Sequence, residues 1–246
     1  MVSLPLDIAL PPTQDDLPCD DGVPMETQRH KLQMDLLIET LQPWLAGRPD
    51  GYVGGNMFLY YSLAQVRNQD FMGPDMFAVV DVAKGERKSW VVWEEGKGPD
   101  VVVELLSSST AQADKTSKKR LYEQQVRVPE YVWFDPFNPD DWAGFRLVGG
   151  RYEPLELNET GLLPSQQLGL GLGQWSGRYQ GVEAVWLRWA TASGQWLPTQ
   201  QDLLDQERQR ADQERQRADQ ERQRADQLAA RLSAMGIDPN GENPSA

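Results

Sequence analysis

Two apolar runs, each opened by Pro-Asp, constrain this chain more than any other feature. Gly73-Pro74-Asp75 precedes Met76-Phe77-Ala78-Val79-Val80, and Pro99-Asp100 precedes Val101-Val102-Val103-Glu104-Leu105-Leu106, which runs into Ser107-Ser108-Ser109-Thr110. Short, Val-rich runs bounded by turn residues read as buried strands. A domain built on them carries its acidic residues at strand ends, and strand geometry decides which of those acids can meet.

Asp100 and Glu104 share parity and so one face of the sheet, but four residues at a rise of roughly 3.3 Å separate them by about 13 Å. They cannot share one metal ion. If the strand from Asp75 pairs antiparallel with the strand ending near Glu104, the start of one lies beside the end of the other, and Asp75 meets Glu104. Two carboxylates in an apolar sheet are costly unless neutralised, and a hard divalent cation with oxygen ligands is the usual remedy. Beyond Glu104, Ser109 followed by Gln112 gives a capping-box pattern, with Ser107, Ser108 and Thr110 as alternative caps. On the helix that follows, Asp114, Lys118 and Tyr122 are spaced i, i+4, i+8 and lie along one face. Lys118 is placed to reach back over the carboxylate pair and orient or help deprotonate a water, and the helix start offers amide donors to a phosphate.

Pro-Asp followed by Glu at the end of the next buried strand resembles the PD-(D/E)XK nuclease superfamily. The longer string PDVVVELLSSST, with Asp114-x-x-x-Lys118-x-x-x-Tyr122 and Val128-Pro129-Glu130-Tyr131, resembles one branch of it, a family of restriction-endonuclease-like proteins expanded in cyanobacteria. The likeness runs from about Thr27 to Leu157. It implies an α/β (α+β) fold with a restriction-endonuclease-like core, a mixed sheet flanked by helices. It also implies a metal-dependent endonuclease acting on nucleic acid, DNA in the first instance, with Asp75 and Glu104 binding Mg²⁺ or another divalent cation such as Mn²⁺. Two departures stand out. The position two after Glu104, where the superfamily has lysine, is Leu106, so the catalytic lysine implied by the branch is Lys118 on the following helix, with Lys119 as fallback. Ser108 stands where the branch usually has proline. Asp114 and Tyr122 are expected to support Lys118 or the substrate, and Asp100 to lie behind the site.

Charge is the main objection to a nucleic-acid partner, because the net value is −13. Part of it is segregated: residues 1–28 contain Asp7, Asp15, Asp16, Asp20, Asp21 and Glu26 and no basic residue. Lys115, Lys118, Lys119, Arg120 and Arg127, by contrast, cluster beside the proposed site, where they form either a phosphate-facing surface or an ordinary solvated helix face. The single Cys19 forms no internal disulfide, and neither a signal-peptide core nor an apolar run long enough for a membrane span is present, so a reducing cytoplasm is expected. The only histidine, His30, lies in no catalytic motif and reads as an ordinary helix position.

Residues 1–26 read as an extended acidic arm rich in proline, and 27–200 as the nuclease-like domain. That domain opens with a helix carrying Leu32, Leu36, Leu37, Leu41 and Trp44 at helical spacing. A strand over Tyr52 to Leu63 and an exposed insertion around Ser89 to Trp93 follow. Glu130 to Asp135 is a further buried strand, and Gly144 to Val148 with Arg151 to Leu157 makes a hairpin. Segments rich in Gly and Trp between Leu162 and Trp189 pack the sheet. Residues 201–236 repeat DQERQRA three times, placing Leu204, Ala211, Ala218, Ala225 and Leu232 seven apart on one narrow apolar line, and 237–246 read as a disordered tail. Such a helix stands alone through i, i+4 ion pairs or associates weakly, as a homodimer or with a partner protein, through 203–232. The competing functional reading is a catalytically idle interaction module with a nuclease-like fold, recruiting a partner through this helix.

Overall fold

The computed structural model describes residues 11–19, 27–68 and 72–235. The first helix, Gln28–Ala46, begins where Thr27 accepts the His30 N–H, and its apolar stripe buries Leu36, Leu37, Leu41 and Leu45. Two compact units follow the chain, Met1–Leu197 and Pro198–Ala246.

The main sheet has six strands. In spatial order they are β1 (Tyr52–Gly54), β3 (Met76–Val79), β5 (Val101–Leu105), β6 (Glu130–Phe134), β7 (Trp142–Val148) and β8 (Arg151–Pro154). Only β5 and β6 run parallel; the other neighbours are antiparallel, so the sheet is mixed. β5 is central and buried at every position, which is why it reads as a continuous apolar run. Alternation assigns its faces. Val101, Val103 and Leu105 meet Leu37 and Leu41 of the first helix, together with Leu170, Leu172, Leu187 and Trp189 of a second sheet. Val102 turns the other way, toward Phe77, Tyr122 and Tyr131. Glu104 shares that face with Val102.

The second sheet is β9 (Leu163–Ser165), β10 (Leu170–Tyr179) and β11 (Val182–Thr191), with β10 in the middle. Its Trp186 and Trp189 are fully buried, so these tryptophans build core. Gln33 of the first helix joins it by hydrogen-bonding both main-chain groups of Leu187, at 2.8 and 2.9 Å. The expected hairpin is β7 and β8, turning through Gly149 and Gly150, both with positive φ.

Three expectations change. The run from Tyr52 to Leu63 is two strands in different sheets: β1, and β2 (Leu59–Tyr60), which pairs in parallel with β4 (Trp90–Val91). The segment around β4 is therefore no exposed insertion. Trp90 is fully buried against Tyr52 and Phe77, with the Arg87 guanidinium 4.9 Å from its ring. The described part of the N-terminal arm, residues 11–19, is docked: Leu17 packs with Phe58, Tyr60 and Val91, and Trp93 donates its indole N–H to the Pro12 carbonyl at 2.8 Å. The rest of the arm and the 237–246 tail lie outside the described residues.

The described part of the second unit is one helix, Gln200–Ala234, opened by a capping box between Thr199 and Asp202. Residues 205–225, the three repeats, are exposed throughout.

Candidate active site

Antiparallel pairing of β3 and β5 sets Met76 opposite Val103, and the same register continued by one residue sets Asp75 opposite Glu104. Opposed residues on one face have Cβ atoms roughly 4.5–5.5 Å apart, so the pair that the sequence could only join conditionally is joined. Asp75 is fixed further by the Leu105 N–H, which donates to its Oδ2 at 2.7 Å.

Glu104 is fully buried, and the helix after β5 covers it. That helix spans 111–126, with wider π-type stretches at Asp114–Lys118 and Tyr122–Val126. On a regular α-helix, positions i and i+8 drift apart by about 80°. Wider turns carry more residues each, which holds Asp114, Lys118 and Tyr122 closer to one line. The Tyr122 hydroxyl donates to Glu104 Oε1 at 2.8 Å, and Lys118 Nζ lies 3.3 Å from Oε2. Lys118 Nζ is also 2.8 Å from Asp114 Oδ1. Asp114 is 1% exposed, yet neither carboxylate oxygen has a directed hydrogen bond, so its contact with Lys118 is one of charge. Tyr131, which sequence reasoning missed, donates its hydroxyl to the Asp114 carbonyl at 2.8 Å and so locks the turn that carries Asp114 and Lys118.

Three carboxyl groups thus surround one ammonium. Burial pushes Glu104 well above the usual carboxylate range, against the pull of Lys118 and with the help of Asp75 and Asp114. Burial raises Asp75 as well, opposed by the Leu105 N–H and Lys118. Lys118 is pulled down by burial, but Glu104, Asp114 and Asp75 outweigh this and raise it above the ordinary lysine value. The Tyr122 hydroxyl is raised by burial and by the charge of Glu104. With all three acids ionised the cluster would carry a formal net charge of −2, so in the buried site it holds a proton or accepts a further cation.

The remaining candidates separate. Asp100 is not brought to the site: at the far end of β5 it accepts the Val80 N–H at 2.8 Å and pairs with Lys97 at 2.8 Å, fastening the strand start. Lys119 points away, its ammonium 3.5 Å from the Phe145 ring centroid and 5.7 Å from that of Trp133, and is no substitute for Lys118. Lys115 is paired with Asp141. The basic cluster is therefore divided among separate tasks. The Ser109–Gln112 cap also gives way to another: Ser107 Oγ accepts the Thr110 N–H at 3.1 Å, and Thr110 Oγ1 accepts the Ser107 N–H at 3.4 Å. His30 is buried, its Nδ1 on Thr27 and its Nε2 3.0 Å from the Leu106 carbonyl, so it fixes the chain just beyond Glu104. Its one sequence signal was a position within the first turn after the Thr27 cap.

Among the described residues no group of three or more His, Cys, Asp or Glu side chains is arranged to hold a metal ion. Asp75 and Glu104 nevertheless fit Mg²⁺, which keeps several waters and is commonly held by one or two carboxylates together with substrate phosphates. The excess negative charge of the cluster, three carboxyl groups against the one Lys118 ammonium, fits the same cation.

The fold and this site define an α/β domain with a mixed sheet, carrying a buried carboxylate pair and a lysine at the end of its central strand. The chain belongs to the Uma2 family, described as "putative restriction endonuclease", whose model matches residues 16–183. Among solved structures it is similar to a "putative nuclease belonging to DUF820" from Anabaena variabilis, at 16% identity and a TM-score of 0.43, over 64% of this chain and 91% of that one. No match was found among curated proteins. No helix among the described residues is long and apolar enough to cross a membrane.

Proposed function

We propose that the protein is a metal-dependent nuclease that hydrolyses phosphodiester bonds, with DNA as the first substrate to test. The observation that carries this reading is the meeting of Asp75 and Glu104 across β3 and β5 beneath Lys118. Asp75 and Glu104 would hold Mg²⁺ or Mn²⁺, which when bound lowers the pKa of a water and neutralises phosphate charge. The chain's own groups do the rest. The Leu105 N–H fixes the Asp75 carboxylate, and the Tyr122 hydroxyl fixes Glu104 Oε1, so that ligation would fall to Oε2, the oxygen that Lys118 also contacts at 3.3 Å. Lys118 keeps its proton at neutral pH because three acids surround it. It therefore acts by charge and hydrogen-bond donation toward a phosphate oxygen or water rather than as a base. Asp114 holds the ammonium over the pair, and Tyr131 holds the turn that carries Asp114.

The test is cleavage of plasmid DNA, single-stranded DNA and RNA by the purified protein, with Mg²⁺, with Mn²⁺ and with EDTA. Metal-dependent cleavage that disappears in Asp75→Ala and Glu104→Gln is the expected result. Absence of cleavage of all three substrates by the wild type would overturn this reading and favour the interaction module.

A further inference from the structure

β5 and β6 are the one parallel pair in the main sheet, so their C-terminal ends open on the same edge. Glu104 pairs with Trp133 there, Leu105 with Phe134, and the Leu106 N–H donates to the Phe134 carbonyl at 2.8 Å. The chain leaving β6 reaches Phe137 only three residues later. Phe137 is 63% exposed, the one aromatic ring among the large exposed apolar side chains of the described residues.

An exposed ring on a loose loop would mean little, but this one is held. Asp135 Oδ1 accepts the N–H groups of both Phe137 and Asn138, at 2.8 and 3.1 Å, which fixes the turn. The Arg29 guanidinium donates to the Pro136 carbonyl and lies 5.6 Å from the Phe137 ring centroid and 5.0 Å from that of buried Trp186. His30 approaches Phe137 at 5.8 Å between centroids while its Nε2 contacts the Leu106 carbonyl. A chain of contacts therefore runs from the ring to the residue two beyond Glu104. Beside the ring opens a cavity of about 250 Å³, lined by Thr27, Gln28, Arg29, Leu32, Phe137 and Val182.

A preset aromatic face, a guanidinium beside it and a half-open cavity are what a nucleobase needs: stacking for its flat surface and a cation for its π-system or adjoining phosphate. We propose that Phe137 and Arg29 form a subsite that stacks one unpaired nucleobase of the strand whose backbone enters the Asp75–Glu104 site. This rests on the nuclease reading for what enters that site. It also narrows the substrate class, since a paired base inside a duplex does not offer its face to such a shelf. Single strands, or a duplex with an unpaired or extruded base, do.

The test is fluorescence anisotropy with labelled single-stranded oligonucleotides in EDTA, where metal-dependent cleavage is off, comparing wild type with Phe137→Ala and Phe137→Trp. Because the ring is largely exposed, neither substitution threatens the fold, and thermal melts serve as the control. Phe137→Ala is expected to weaken binding roughly 5- to 150-fold, the fold-change equivalent to losing one base–aromatic stack. Phe137→Trp should retain affinity, and on a strand of abasic sugar-phosphates wild type and Phe137→Ala should bind alike. Equal affinity of wild type and Phe137→Ala for ordinary single strands, or no binding of any strand by wild type, would overturn the subsite. So would an undiminished Phe137 effect on abasic strands. A parallel Mg²⁺ cleavage assay separates the two readings. Phe137-dependent base binding without cleavage keeps the subsite and removes the nuclease, whereas cleavage with no Phe137 effect does the reverse.

Discussion

Lys118 is the residue on which the charge of the site turns, because among the described residues it is the one ammonium in contact with Glu104 and Asp114. Lys118→Met should lower cleavage by about 10²-fold or more, the scale of losing a positioned acid–base or charge-stabilising group. It should also lower the melting temperature of the metal-free protein at pH 8, since it leaves three acids without their counter-ion. Mn²⁺ should restore that melt, and its affinity, read by calorimetry, should be no weaker than in wild type. Lys119→Met, whose ammonium covers aromatic rings instead, should change cleavage little. Weakened Mn²⁺ binding in Lys118→Met would count against Asp75 and Glu104 as ligands. The raised carboxyls make a second prediction. Asp75 and Glu104 are higher in the folded chain than in the unfolded one, so the native state binds more protons once pH exceeds the ordinary carboxylate range. Stability therefore falls as pH rises from that range through the folded values. The raised Lys118 acts in the same direction but only at alkaline pH. In EDTA, the melting temperature of Glu104→Gln minus that of wild type should become more positive from pH 5 to pH 8. A difference independent of pH would show that Glu104 does not titrate there. At this scale the sequence exposed which acids and which lysine to consider, but not that Asp100 is already neutralised by Lys97, because that pairing depends on how the turn before β5 closes.

At the scale of elements, the helix over 111–126 exists to carry Asp114, Lys118 and Tyr122 over β5, and its start fixes their height above Glu104. The start is set by the reciprocal bonds of Ser107 and Thr110. Ser107→Ala should cost about 1 kcal/mol in a denaturant melt, the usual worth of a capping side chain. Ser109→Ala, which removes a hydroxyl bonded to that of Ser107 and not to a main-chain N–H of the helix start, should cost less. Equal costs would return the cap to Ser109. The four consecutive hydroxyl residues made a helix start legible but gave each an equal claim. The choice falls to Ser107 because the Leu106 N–H is tied to Phe134 and the Leu106 carbonyl to His30, which sets where the strand lets go of the chain. Strands were less legible. β2 and β4 are two residues long and owe their existence to burial of Leu59, Tyr60 and Trp90, so no periodicity announced them.

On the scale of the whole molecule, residues 16–183 carry the family match and lie within the first compact unit, while the repeat helix belongs to the second. Removing residues 198–246 should leave the melting temperature and the near-ultraviolet circular dichroism of the buried tryptophans unchanged within about 2 °C, since a shift of 1 kcal/mol moves a domain of this size by roughly 2–4 °C. Aggregation or a large fall in melting temperature would place the helix in the core. What the sequence alone determined is local or periodic. It marked the first helix from Thr27, the buried runs of β3, β5 and β6, the hairpin at Gly149-Gly150, the long repeat helix, and the i, i+4 spacing of Asp114, Lys118 and Tyr122. Each of these follows from spacing, capping and turn chemistry within a few residues. Only the tertiary structure decided the antiparallel register that sets Asp75 against Glu104, the rotation that sends Lys118 inward and Lys119 onto Phe145, the docking of residues 11–19, and the approach of Phe137 to Arg29. Those depend on contacts between residues far apart in the chain, whose geometry is fixed by packing of the whole core and is written in no single stretch of it.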